Sequence, residues 1–131
     1  MKYVLDTNTL IYFFKGLGHV SKHMLAQSPS ELGIPTVVLF ELEVGIAKST
    51  SPGKRNSQLQ EITALVNALP FGIAESKSAA QIRVNLEKQG LPIGPYDVLI
   101  AATALANNMI LVTHNQKEFG RIKDLSIEDW Y

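Results

Sequence analysis

The sequence predicts an α/β protein built around a parallel sheet. Short runs of β-forming residues alternate along the chain with longer segments whose apolar residues recur at helical spacing. This alternation is typical of βαβ units, in which a helix connects neighbouring parallel strands. With 131 residues, of which 46% are hydrophobic and 18% charged, the chain fits one folded domain spanning residues 1–131.

Five short segments are the predicted strands. They cover residues 2–5, 32–34, 69–73 and 109–113, with an edge strand at residues 125–127. The first strand ends at Asp6, after which Thr7 or Asn8 can cap a helix. Because the carboxyl ends of parallel strands lie at one edge of the sheet, residues that directly follow different strands can meet there.

Helices are predicted between the strands. The first contains the wholly apolar run of residues 10–14, and Pro35 introduces a mostly apolar helix over residues 37–48. Further helices are predicted at residues 19–27, 56–68, 75–89 and 96–107. The body of the last helix, residues 98–106, is apolar on every side, so we expect it to be buried on every side.

The composition narrows the class of protein. Cysteine is absent, which excludes a disulfide framework, a thiolate nucleophile and a cysteine zinc site. Asp6 interrupts the N-terminal apolar run, and residues 98–106 are too few to span a bilayer, so we expect a cytoplasmic protein without membrane contact. Twelve basic and twelve acidic residues give zero formal charge, a mild argument against a nucleic-acid partner that weakens if acids are neutralised by metal.

Polar residues follow two of the predicted strands and begin one helix. Asp6 directly follows the first strand, His114 and Asn115 follow the fourth, and Asp97 lies in the first turn of the helix at residues 96–107. The carboxyl edge of the sheet can bring them together. Each aspartate alone also fits a simpler role as a helix cap, because an acid is favoured at a helix N-terminus.

Two further acids lie on the helix at residues 37–48. Glu41 and Glu43 point about 200° apart around the helix axis, so at most one of them can join a given site. Gly45 shares the face of Glu41 and makes the helix thinner there, which fits a close approach of metal, substrate or another backbone. Helix geometry does not choose between the two glutamates.

Carboxylates that converge on one site repel one another unless a cation is bound. Ligands that are all oxygen favour Mg²⁺ or Mn²⁺ over zinc or copper. A cation held in this way activates water and neutralises charge on a phosphodiester. The pattern therefore favours a metal-dependent enzyme that hydrolyses phosphodiesters.

The order and spacing of several short motifs resemble the PIN-domain family over essentially the whole chain. The motifs are Asp6-Thr7-Asn8, Glu41-Leu42 followed by Gly45, Gly94-Pro95-Tyr96-Asp97 running into Leu99-Ile100-Ala101-Ala102, and Leu111-Val112-Thr113-His114-Asn115 followed by Glu118-Phe119. The ending Ile127-Glu128-Asp129-Trp130 is similar to that of the VapC-type toxins within the family. Each motif is weak alone, and their common order makes the resemblance specific.

The resemblance implies a three-layer fold with a central parallel sheet of about five strands. It also implies an endoribonuclease that depends on Mg²⁺, for which Mn²⁺ can substitute, and that is the toxin of a type II toxin–antitoxin system. It selects Glu41 over Glu43 and implies a catalytic set of Asp6, Glu41, Asp97 and Asn115. The three carboxylates are the expected ligands of one firmly held ion.

Residues beside this set are candidate accessories. Many PIN domains carry aspartate at the position of Asn115, whose side chain offers a neutral oxygen or an amide donor instead. Glu118 can supply a further acid, and the hydroxyl of Thr7 or Thr113 can orient a carboxylate or water. His114 is a candidate for contact with the substrate.

The resemblance also implies a cognate VapB-type antitoxin, an RNA substrate and a homodimer. The apolar run at residues 10–14 either is buried within the fold on both sides or forms part of a groove that the antitoxin covers. Two other functions compete with the toxin ribonuclease. They are a structure-specific, flap-type DNA nuclease and a PIN-type binding module that has lost nuclease activity.

Overall fold

A five-stranded parallel sheet forms the centre of the computed structural model, which describes residues 2–131. Its strands are β1 (Tyr3–Leu5), β2 (Leu32–Pro35), β3 (Asn67–Leu69), β4 (Ile110–Val112) and β5 (Ile127–Glu128). They are ordered β3-β2-β1-β4-β5, and every neighbouring pair is parallel. The strand order changes direction between β1 and β4, so the crevice expected for a functional site lies at their carboxyl ends.

Helices flank the sheet and connect its strands, which confirms the predicted α/β class. They are α1 (Thr7–Lys15), α2 (Val20–Leu25), α3 (Thr36–Lys48), α4 (Gly53–Leu65), α5 (Ile73–Lys88), α6 (Pro95–Ala106) and α7 (Gln116–Phe119), with a 3₁₀ turn at Pro29–Glu31. In the described part of the chain, no helix has both the length and the apolar character needed to cross a membrane.

The third strand was predicted too late in the chain. It pairs with β2 through Gly33 and Asn67 and ends at Leu69, four residues before the predicted end. The apolar character of the following residues is misleading, because the Gly72 amide donates to the Glu75 side chain over 2.9 Å and begins α5 at Ile73. This capping interaction ends the strand region early.

Two smaller predictions were also wrong, and one short helix was missed. The cap of α1 is Asp6 rather than Thr7 or Asn8, since its carboxylate accepts from the backbone amide of Thr9 over 2.8 Å. The edge strand β5 begins at Ile127, because it pairs in register with Leu111 of β4. Helix α7 was not predicted, because four residues are too few to show a helical period.

Most of helix α6 lies in the core, as its all-round apolar pattern predicted, although Leu99, Leu105 and Ala106 are half-buried. Its residues 100–104 are all buried, and three of these five are alanines that allow close packing. The central strands are equally covered, with Val4, Leu5, Leu111 and Val112 at 0% exposure. Asp97, in the first turn of this fixed helix, is thereby held at a defined position.

Candidate active site

Asp6 is a buried carboxylate at the carboxyl end of β1, with 5% of its surface exposed. Burial raises the pKa of Asp6, although the hydroxyl of Thr113 and the side chain and backbone amide of Thr9 each lower it, and the charge of Glu41 raises it further. Its net pKa lies above the ordinary value. Besides capping α1, Asp6 is therefore an acid held in an unfavourable environment for its charge.

Asp97 is partly buried at the start of α6. Burial raises its pKa to about 6, together with the charges of Glu41, Glu118 and Asp6 in that order. Asp97 lies in the first turn of α6, where the helix N-terminus favours a negative charge, so the simpler role left open by the sequence stays compatible with its position.

Glu41 lies on α3 and is oriented from α1. The Thr7 hydroxyl donates to Glu41 Oε1 over 2.6 Å, and the charge of Glu41 raises the pKa of both Asp6 and Asp97. Glu43 is exposed and contributes to neither shift. The structure thus brings Glu41 to the acidic cluster and leaves Glu43 outside it, as their opposite directions on the helix require.

Gly45 faces open space rather than a packed neighbour. A Cβ atom added to Gly45 would meet nothing within 4 Å, so no part of the described fold requires glycine there. Of the approaches that the sequence left open, packing against another part of this chain is excluded. A close approach of metal, of substrate or of the backbone of another chain stays a prediction.

Glu118 lies on the short helix α7, and its charge reaches Asp97 strongly enough to raise that pKa. Asn115 has a structural role beside it. Its side-chain oxygen accepts a hydrogen bond from the backbone amide of Glu118 over 3.4 Å and caps α7. The backbone amide of Asn115 donates to the Thr113 hydroxyl over 3.0 Å. The catalytic role predicted for Asn115 stays a prediction, and Glu118 joins the electrostatic cluster.

The cluster of Asp6, Glu41, Asp97 and Glu118 consists of hard oxygen donors, the type that Mg²⁺ and Mn²⁺ prefer. Within residues 2–131, no three or more histidine or acidic side chains are spaced as a finished ligand group. The charge of Glu41 raises the pKa of both Asp6 and Asp97, and the charge of Glu118 raises that of Asp97. A cation bound among these carboxylates would offset their mutual repulsion.

The apolar run at residues 10–14 is divided between core and surface. Leu10 and Phe14 are buried, so for these two residues the first of the two alternatives, burial within the fold, is correct. Phe13 is partly exposed and lines an apolar groove of about 240 Å³ together with Leu25 and Leu65, which are 80% and 65% exposed. One face of α1 thus belongs to the core, and the other borders a groove.

Comparison with known proteins gives one consistent result. The PIN domain model matches residues 3–125. The tRNA(fMet)-specific endonuclease VapC of Shigella flexneri is 32% identical over 130 residues, which cover 99% of this chain and 98% of the relative. Ribonuclease VapC2 of Rickettsia felis is 34% identical over 139 residues, with the same two coverages.

Solved structures agree with the sequence comparison. The chain resembles one in the DNA-bound VapBC structure from Salmonella typhimurium, with a TM-score of 0.93 and 32% identity over 100% of this chain and 99% of that one. It also resembles one in VapBC2 from Rickettsia felis bound to a promoter fragment, with a TM-score of 0.92 and 33% identity over 100% of both chains.

Proposed function

The chain belongs to the PIN-domain family, and from this membership we propose that it is a VapC-type endoribonuclease, the toxin of a toxin–antitoxin pair. Curated relatives named as ribonucleases match it over nearly their whole length. The observation that carries the proposal is the environment of Asp97. Its pKa of about 6 reflects partial burial beside three other carboxylates, which is costly in a purely structural position.

The proposed cofactor is Mg²⁺, with Mn²⁺ as a substitute, held by Asp6, Glu41 and Asp97. Bound there, the cation would supply the positive charge that ionises a water molecule and offsets the charge of the scissile phosphate. Without it, the carboxylates would repel an RNA phosphate. The raised pKa values of Asp6 and Asp97 support this assignment, because burial and neighbouring carboxylates disfavour the charge of these acids, which a bound cation would favour.

Neighbouring residues of this chain fix the proposed ligands. The Thr9 amide and the Thr113 hydroxyl form hydrogen bonds with the Asp6 carboxylate, and these bonds hold it at the end of β1. The Thr7 hydroxyl orients Glu41. Glu118 contributes negative charge from α7, which favours a cation at Asp97 without requiring direct contact. These interactions preorganise the acids and reduce the cost of binding the ion.

The proposed partners are an RNA substrate, a VapB-type antitoxin and a second copy of this chain in a homodimer. Two relatives named as specific for tRNA(fMet) make this tRNA a rational first probe. The groove lined by Phe13, Leu25 and Leu65 is the proposed antitoxin contact, since large apolar side chains exposed together are typical of protein interaction sites.

The decisive experiment is cleavage mapping on total RNA with the purified protein in Mg²⁺ or Mn²⁺. We expect discrete cleavage sites that disappear in EDTA and in Asp97→Asn, while Glu43→Gln cleaves as the wild type does. Cleavage that persists in EDTA would overturn the metal mechanism. A flap-structured DNA cleaved in place of RNA would favour the DNA nuclease, and inactivity on both would favour a binding module.

A further inference from the structure

A cluster of aromatic rings lies at the same edge of the sheet as the carboxylates. The His114 ring stacks on Tyr131, with centroids 4.4 Å apart and planes 26° apart. Tyr12 of α1 stands nearly perpendicular to both rings, at 5.9 Å from His114 and 4.9 Å from Tyr131. Tyr131 is 42% exposed and the His114 side chain 47% exposed, so the stack is open to solvent.

Hydrogen bonds fix the orientation of the His114 ring. Its Nδ1 lies 2.9 Å from Asp129 Oδ2, and the same oxygen accepts from the Gln116 side chain over 3.0 Å. Burial opposes ionisation of Asp129, but bonds from the Tyr131 amide, His114 and Gln116 outweigh it and lower its pKa. An ionised carboxylate can only accept a hydrogen bond, so His114 Nδ1 is the donor to Asp129. The other ring nitrogen, Nε2, does not take part in this bond.

The backbone of the loop before α2 holds Tyr131 in place. The His19 amide donates to the Tyr131 carbonyl over 2.6 Å. Gly18 has a φ of +63°, and a Cβ atom there would lie 2.8 Å from the Tyr131 ring, so only glycine allows this approach. The aromatic stack is therefore a preorganised surface rather than a pair of loose side chains.

The stack is connected to the proposed catalytic acids through β4. Thr113, whose hydroxyl acts on Asp6, immediately precedes His114. Asn115, which immediately follows His114, caps the helix that carries Glu118. A ligand on His114 would thus lie beside the acidic cluster, on the β5 side of the sheet.

We propose that the exposed face of His114, supported by Tyr131 and bordered by Tyr12, is a subsite on which one unpaired RNA base stacks beside the cleavage site. This subsite rests on the proposed ribonuclease function and deepens it. Aromatic faces bind single-stranded bases of any sequence, and polar atoms at their rim can bond to base edges. The chain has zero formal charge and so no excess of basic residues for phosphate, and a stacked base would add affinity that does not depend on charge.

RNA fits this surface better than the antitoxin does. The stack is bordered by the Gln116 amide, the Asp129 carboxylate and the Tyr12 ring, which are groups suited to a polar, planar ligand. The groove beside Phe13 is lined mainly by aliphatic and aromatic carbon, which suits a protein segment instead. RNA is therefore assigned to the aromatic stack, and the antitoxin to the groove beside Phe13.

The test measures RNA binding in a Glu41→Gln background, which prevents cleavage during the titration. The probe is a short single-stranded RNA of randomised sequence, labelled with fluorescein and followed by anisotropy in Mg²⁺. We expect His114→Ala to weaken binding about tenfold, which corresponds to about 1.4 kcal/mol and is typical of one stacked base. His114→Phe keeps a stacking face and should bind within about twofold of the parent.

The matched control is His23→Ala. His23 also stacks on an aromatic ring, that of Trp130 at 5.5 Å and 14°, but it lies on α2 and does not adjoin the residues that contact Asp6. Binding by this variant should be unchanged. A second readout uses 2-aminopurine within the RNA, whose fluorescence should be quenched on binding to the parent and to His23→Ala, and not to His114→Ala.

The outcomes separate this subsite from the function on which it rests. If the wild type cleaves RNA and His114→Ala binds it as tightly as the parent does, the stacking subsite is wrong and the ribonuclease function stands. If the wild type neither cleaves nor binds RNA in Mg²⁺ or Mn²⁺, both are wrong. If His114→Ala loses antitoxin affinity while RNA binding is unchanged, the surface is a protein contact and the subsite is overturned.

Discussion

Thr7 and Glu41 lie 34 residues apart in the chain and are joined by a hydrogen bond of 2.6 Å, in which the Thr7 hydroxyl donates to Glu41 Oε1. The bond connects the first turn of α1 to α3. These two helices follow β1 and β2, respectively, at the carboxyl edge of the sheet. The bond fixes the direction of an acid whose charge acts on both Asp6 and Asp97. A residue that looks like a helix cap in the sequence therefore orients the candidate site.

Replacing Thr7 tests this orienting role. Thr7→Val keeps the shape of the side chain and removes the donor, and we expect the Mg²⁺ concentration for half-maximal cleavage to rise about tenfold. Thr7→Ser keeps the hydroxyl and should restore most of the affinity. Thermal melting in EDTA checks that both variants fold, and equal Mg²⁺ curves for wild type and Thr7→Val would exclude the role.

The two glutamates of α3 make a matched pair for the site assignment. Glu41→Gln should reduce the cleavage rate by at least about a hundredfold, since it replaces a charged ligand of the proposed cation with a neutral amide. Glu43→Gln changes the same chemistry on the same helix, and it should cleave at the wild-type rate because Glu43 is exposed and acts on neither aspartate. Rates measured on one RNA at saturating Mg²⁺ decide between them. Loss of activity in Glu43→Gln alone would reverse the assignment.

The position of Asp97 was predictable because strong local signals coincide there. Gly94 and Pro95 mark the start of a helix, and the apolar residues after Asp97 require burial, so the acid had to lie at the head of a core helix. The end of β3 was not predictable in the same way. The apolar residues Phe71 and Ile73 continue a strand pattern, whereas a capping interaction between Gly72 and Glu75 begins a helix.

Long-range relationships explain most of what the sequence did not predict. The effect of Glu118 on Asp97 depends on α7, a helix too short to have a visible period. The bond between His114 and Asp129 depends on the register of β4 and β5, which pairs Val112 with Glu128. The residues around His114 and around Asp129 do not indicate that the two side chains meet. Their contact depends on the register of a two-residue edge strand, and a shift of a few residues would separate them.

The raised pKa of Asp97 predicts how the stability of the metal-free protein changes with pH. The folded pKa is about 6 against an ordinary 3.8, so the folded state binds this proton more tightly. The resulting stability is complete below pH 3.8 and is lost as the pH rises through about 6. Above that pH, Asp97→Asn should be more stable than the wild type by on the order of 1 kcal/mol, after allowance for solvent screening of a partly exposed group.

Urea denaturation in EDTA over a range of pH values measures this difference. The two proteins should converge in stability at low pH, because Asp97 is then protonated in both the folded and the unfolded wild type. Adding Mg²⁺ at neutral pH should stabilise the wild type and have less effect on Asp97→Asn. A stability difference that does not change with pH would show that Asp97 ionises without cost.

The groove beside α1 predicts a position for the antitoxin contact. Phe13→Glu and Leu65→Glu should weaken antitoxin binding about tenfold or more, since each adds a charge to a partly exposed apolar surface. Ile73→Glu is the control, because Ile73 is 79% exposed at the start of α5 and does not line this groove. Calorimetric titration with the antitoxin gives the affinities. Equal affinities for all three variants would move the contact elsewhere.

Asn115 separates a structural role from a functional one at the end of β4. Its side-chain oxygen caps α7 through the Glu118 amide, and aspartate can accept the same bond, so Asn115→Asp should keep the fold. If this position also supports a metal ion, the added charge should lower the Mg²⁺ concentration for half-maximal cleavage about tenfold, equivalent to about 1.4 kcal/mol. Asn115→Ala removes the cap as well as the oxygen, and it should raise that concentration and cost about 1 kcal/mol of stability. Titration of Mg²⁺ against the initial cleavage rate compares the three proteins directly. Identical curves would restrict Asn115 to capping and leave Glu118 as the acid of α7 that influences the ion.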